Sequence, residues 1–283
     1  MNVGLHAVRA GLARGLIEVR QTFTSGQDLW NYFFPTIVFV VTTFFVRGST
    51  VPGTDFSMGA RTLPSLLGAV VVMTGLGTLT MTIVVEREDG TLLRAKAVPH
   101  GMVGYLVGRI ALTSGVTLIS IAIMLVPGLA LFGEDLRGDL TGWLTLAWVV
   151  LLGLLATMPL GAVFGSLFAN PRSVGIIMVP LMGLVATSGI FYPINTLPQW
   201  LQWIAQAFPV YWLGLGMRSA LLPEELAATE LTGSWQHPQM VAVLGAWAVL
   251  GLLIAPAVLR RMARRESGSS VAARRERAMR RIA

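Results

Sequence analysis

Residues 66–85 and 110–131 carry no charge, yet the run that begins between them cannot share their surroundings: Glu86, Arg87, Glu88, Asp89, Gly90, Thr91, Leu92, Leu93, Arg94. A charge at the bilayer centre costs about 3 kcal/mol on insertion scales, so residues 86–89 would together cost about 12 kcal/mol there. The chain must leave the membrane at Glu86. Gly90 permits a turn, and Thr91 is placed to cap the segment that follows. Residues 92–97 are mostly good helix formers, and Pro99 ends them. The expected product is a short charged helix at the membrane surface, joined to a span on each side and placed to receive a push from another protein.

Composition supports an all-α integral membrane protein. Of 283 residues, 54% are hydrophobic and 12% charged, against about 25% charged in soluble domains; the mean hydropathy is +0.69. No cysteine is present, which excludes disulfides and thiolate chemistry. Residues 3–21 read as an amphipathic helix lying flat in the headgroup region. Leu5, Val8, Leu12, Leu16 and Val19 form its apolar face. Arg9, Arg14, Glu18 and Arg20 interrupt it too often for a signal peptide.

Hydropathy predicts six transmembrane helices, about 30–46, 66–85, 103–132, 143–168, 174–191 and 240–259, each near the roughly 20 residues a bilayer needs. They form one domain, 1–259, followed by a basic tail, 260–283. The second span is rich in Gly and Thr, and the fourth has Gly161 and Gly165 at small-xxx-small spacing. Arg109 is close enough to its span end to snorkel. With the N-terminus cytoplasmic, only Arg47, Arg61, Arg137 and Arg218 of the 21 basic residues fall outside. The positive-inside rule then places both termini in the cytoplasm.

Between spans five and six, Leu197, Trp200, Leu201, Ile204, Ala205 and Phe208 recur at helical spacing, with Thr196 as the expected cap and Pro198 in the first turn. About 12 residues reach roughly 18 Å, too short to cross. The expectation is a short outer helix, re-entrant or on the surface, with a second short helix over 210–222. The arginine-rich tail reads as a stop-transfer cluster that also binds anionic headgroups. Nothing accompanies it that would read nucleic acid.

Several chemistries are missing. Lys96, the sole lysine, follows no Gly-rich loop, so the chain has no P-loop. His6, His100 and His237 have no metal-binding spacing. No ionisable residue lies mid-span, which weighs against ion-coupled carriers and intramembrane enzymes.

The order of elements resembles the permease subunit of type-2 ABC exporters, in particular the daunorubicin and multidrug resistance permease group. The resemblance is carried by Glu86-Arg87-Glu88-Asp89-Gly90-Thr91 and by Tyr192-Pro193 followed by Leu197-Pro198, Trp200-Leu201 and Pro209. It covers the chain to about residue 259. It implies that Glu86, Arg87, Glu88, Gly90, Thr91 and Arg94 form a coupling helix gripped by a separate ATP-binding cassette subunit, with Lys96 beside it and the N-terminal helix as a second contact. It implies that Tyr192, Pro193, Leu197, Pro198, Trp200, Leu201 and Pro209 belong to an outer gate, and that spans one, two and five line the pathway. A second permease subunit completes the pathway, the setting is a bacterial inner membrane, and ATP and Mg sit on the partner while this non-catalytic chain holds no cofactor. Spans without fixed charge fit a hydrophobic or amphipathic cargo: a drug, an antibiotic or a lipid. An ion-gradient carrier and a membrane assembly protein are the competing readings.

Overall fold

A computed structural model of the protein describes residues 3–51, 56–168, 171–191 and 193–265. Its helices are α1 (Val3–Thr22), α2 (Gly26–Phe45), α3 (Met58–Val72), a π-turn (Met73–Thr78), α4 (Leu79–Glu88), α5 (Thr91–Lys96), α6 (Gly101–Phe132), α7 (Leu140–Leu167), α8 (Gly175–Thr187), α9 (Gln199–Ala207), α10 (Pro209–Leu221) and α11 (His237–Arg265). Tyr192 and the tail from residue 266 lie outside the described residues.

Among the described residues, five helices are long and apolar enough to cross a membrane: α2, the continuous rod Met58–Glu88, α6, α7 and α11. The expected fifth crossing is shorter. α8 has 13 residues, about 20 Å against a hydrocarbon thickness of about 30 Å. Ser188 and a left-handed Gly189 (φ 76°) end it. The 3-10 turn Pro171–Val174 that precedes it packs against α4, and the Gly189 carbonyl lies 3.5 Å from Arg218 Nη1. The segment therefore runs between the two ends of the bundle despite its short helix.

The rod α3–π–α4 is the axis. Every residue from Gly59 to Val72 is buried, because small residues let neighbouring backbones close in. A Cβ on Gly68 would stand 2.7 Å from Gly214 N of α10, and one on Gly161 of α7 would stand 2.7 Å from the Gly75 carbonyl. Thr74 in the π-turn spends its hydroxyl on Val70 O (2.7 Å) and Thr117 Oγ1 (2.7 Å). α3 is thus enclosed within this chain. Exposed apolar side chains remain on α2 (Ile37, Val41, Phe45), α8 (Ile176, Val179), one face of α4 (Met81, Val85), and the outer faces of α6 (Leu118, Val126), α7 (Leu144, Leu151) and α11 (Leu250, Leu253).

The N-terminal helix departs from expectation. A helix flat in the headgroup plane would cross an upright span at one point. α1 instead runs alongside α6 for three turns: Gly11 on Gly104, Gly15 on Gly108 and Ala111, Val19 on Gly115. Its packed face is this glycine stripe. Leu5, Leu12 and Leu16, expected to be its anchoring face, point away from the bundle and stay exposed.

α9 and α10 form a hairpin that enters the bundle. Trp247 donates from Nε1 to Ala207 O (2.9 Å) and stacks on Phe208 (5.7 Å). Trp247 is ten residues along α11, about 15 Å from its start. The tip of the hairpin thus lies about a third of the way along α11, and α10, buried along its whole length, is its inner arm. Thr196 caps nothing here: it ends a 3-10 turn, and Pro198 takes the N-cap of α9. Phe208 closes α9 and opens α10, with Pro209 at the first position of α10 where no N–H is needed.

Candidate functional site

The charged run folds into an elbow between α4 and α6. Asp89 closes α4, and Gly90 turns left-handed (φ 83°) at the N-cap of α5. Thr91 is therefore the first residue of α5 and not its cap. Its N–H donates to Asp89 Oδ1 (2.8 Å), and its hydroxyl accepts from Arg94 Nη2 (2.8 Å). Leu92 is the buried peg that seats the short helix. At the other end His100 takes φ 55°, a conformation uncommon outside glycine. A Cβ on Gly101 would run into the Ala95 carbonyl, so only glycine lets α5 fold back onto α6 this tightly. Two left-handed residues thus bracket α5.

The side chains of Glu86 and Arg87 tie the elbow to the bundle. Glu86 turns inward: its Oε2 accepts from Tyr105 Oη (2.6 Å), and its Oε1 lies 3.5 Å from Arg109 Nη1. Arg109 also binds Glu18 of α1, and Glu18 accepts from Arg14 Nε (2.7 Å). That hydrogen bond holds the Arg14 guanidinium above its ordinary pKa. The row Arg14–Glu18–Arg109–Glu86–Tyr105 alternates charge across α1, α6 and α4. Arg109 is accordingly a buried cross-brace and not a snorkelling residue. Arg87 goes another way, donating from Nη1 to Ser166 O (2.9 Å) and Phe168 O (2.8 Å); it satisfies carbonyls that the end of α7 leaves open.

This divides the six loop residues expected at a partner contact. Glu86 and Arg87 hold the elbow in place. Arg94 is exposed, Glu88 and Thr91 are half-buried, and exposed Asp89, Lys96 and Ala97 continue the outward surface. Beside them lies a cleft of about 570 Å³ between α1 and α5, reached by His6, Arg14, Arg94 and His100.

The expected outer residues do not converge. Trp200 is 59% exposed on α9 with Trp203 beside it. Leu201 is half-buried, Pro209 is buried in the hairpin, and Pro193, Leu197 and Pro198 form the approach to it.

A second charged group was not foreseen. The rod begins eight residues before the expected boundary and carries Arg61 into the bundle. Glu230 accepts from Arg218 Nε (2.8 Å) and Nη2 (3.0 Å), and from Arg61 Nη2 (3.2 Å); Arg218 Nη1 donates to Ser65 Oγ (2.9 Å). The side chains of Arg61, Arg218 and Glu230 are all 2% exposed or less. Burial, the largest influence, pushes the Glu230 carboxyl up, but the two guanidiniums outweigh it and hold it below its ordinary value. No spacing signals this cluster, because Arg61 and Glu230 are 169 residues apart. The only sequence hint is a pair of arginines without neighbouring acids in otherwise apolar segments.

No curated protein matches the chain. Residues 25–259, nearly the whole bundle, match the family described as ABC-2 family transporter protein. Membership implies a membrane permease that works with an ABC ATP-binding partner. On that match, this chain belongs to the ABC-2 transporter family.

Proposed function

We propose that the chain is the membrane-spanning permease subunit of an ATP-driven exporter, close in function to the daunorubicin and multidrug resistance permeases. Two permease subunits, identical or not, form the pathway, and two ATP-binding subunits carry ATP and Mg. The observation that carries the reading is the elbow: a six-residue helix bracketed by Gly90 and His100 and tied through Glu86 and Arg87 to three long helices. A load applied to α5 passes through Tyr105 and Arg109 to α6 and α1, and through Arg87 to α7. The partner's contact surface is Glu88, Asp89, Thr91, Arg94 and Lys96 with the adjoining cleft. The elbow faces the cytoplasm of a bacterial cell, six crossings return both termini there, and the cargo is a hydrophobic or amphipathic compound.

ATP closure biases the transporter only through the difference in the partner's grip on two states. A braced lever is what converts that difference into movement of the spans. The test is Glu88→Arg. The variant inserts normally and loses co-purification with the ATP-binding subunit; undiminished co-purification contradicts the assignment.

A further inference from the structure

We propose that the end of α11 nearest α5 holds an anionic phospholipid, with Arg260, Arg261 and Arg264 on its phosphate. These three guanidiniums and Ala257 line a groove of about 440 Å³. Among the described residues none of the three pairs with a carboxylate. They are exposed and of one sign, so the groove favours an anion.

The helix also supplies what a free anion would not need. Ala246, Leu250, Leu253, Ala257 and Arg260 recur at three- and four-residue intervals, and all are exposed. They form one stripe, apolar for most of its length and basic at its end. Leu253 is 71% exposed, so none of the described residues covers the stripe there. From Met240, buried against α10 at the opposite end, to Arg260 is twenty residues, about 30 Å, the thickness of the hydrocarbon core. The arginines therefore stand at headgroup level, with an acyl-chain track directly above them. A lipid that carries both a phosphate and a tail matches the stripe along its length; inorganic phosphate matches only its end. α11 also touches α5, and Met262, between these arginines, is buried in the same core as Leu92 of α5, which puts the headgroup at the elbow's end of the bundle. The inference needs only the membrane setting and stands apart from the ATPase assignment.

Native mass spectrometry on the full chain in detergent tests it, with phosphatidylglycerol, phosphatidylcholine and inorganic phosphate as probes. Phosphatidylglycerol is retained in preference to phosphatidylcholine, and millimolar phosphate does not displace it. Replacing Arg260, Arg261 and Arg264 by Gln weakens phosphatidylglycerol binding about a hundredfold, since each basic residue near an anionic surface contributes roughly fivefold. Replacing the same three by Lys keeps most of it. Replacing Arg274, Arg275 and Arg277 of the tail by Gln changes it far less. The proposal is overturned if the triple Gln variant, shown to melt like the parent, binds phosphatidylglycerol equally well. It is overturned too if phosphatidylcholine binds equally, which makes the stripe a general lipid surface, or if phosphate competes, which makes it a free-anion site.

Discussion

Glu230 bridges two buried arginines with a single carboxylate, offsetting one of their two charges, and its removal is the most damaging single change we foresee. Breaking a buried pair leaves an uncompensated charge and costs about 3–5 kcal/mol; here two guanidiniums lose their partner. Glu230→Ala should lower the melting temperature of the purified chain far more than Glu88→Ala, whose side chain is half-buried at the elbow. The pH dependence has a definite sign. A carboxylate held below its ordinary value contributes fully above the usual glutamate range and loses that contribution as pH falls through its folded-state value. Melting followed from neutral to acid pH should show a loss of stability below the ordinary glutamate range, with that limb smaller in Glu230→Gln. At the elbow the legible and illegible parts meet in one motif. Four consecutive charges beside an apolar span announce a membrane exit, so the turn at Gly90 could be read directly. That Glu86 points back to Tyr105 and Arg109 could not, because helix phase at a span end depends on which neighbour packs there.

Hydropathy places helices where it alone decides them: α2, α6 and α7 lie within four residues of the hydropathy bounds at each end, whereas α11 starts three residues earlier and runs six further, to Arg265. Features that depend on packing were not legible. The π-turn Met73–Thr78 places one extra residue in the ladder of the rod, and such turns collect at functional or strained positions. It is pinned by Thr74 and by the close approach of α7 at Gly161. Gly161→Ala brings a methyl to 2.7 Å from Gly75 O and 2.9 Å from Leu76 O, both backbone atoms that cannot swing aside. We predict a loss of about 1–3 kcal/mol, the usual cost of overpacking, read as earlier thermal aggregation. The same change at Gly183, where a Cβ meets nothing, should be silent. For α10 the short helix over 210–222 was legible and its depth was not, because that depth depends on Gly68 and Gly153 receiving Leu213 and Gly214 from elsewhere in the chain. Its companion α9 keeps Trp200 exposed. Trp200→Asp should reduce export while leaving the ATP-binding subunit bound. Loss of both would make α9 a folding element instead of a gate.

Over the whole molecule the two charged groups occupy opposite ends of one rod, with Arg61 and Glu230 at its start and Glu86 at its finish. Burial of Arg61 and Arg218 takes two of the four arginines assigned to the outer side away from that surface, which sharpens the basic excess at the elbow end. The proposed account needs that end to face the compartment that holds ATP and needs α5 to be covered by the partner. The chain has no cysteine, so Ala97→Cys, on the exposed rim of α5, introduces a unique label site. A membrane-impermeant maleimide should modify it in inverted vesicles and not in intact cells, and added ATP-binding subunit should protect it. Labelling from outside the cell, or labelling in inverted vesicles at the same rate with and without the partner, would contradict the account.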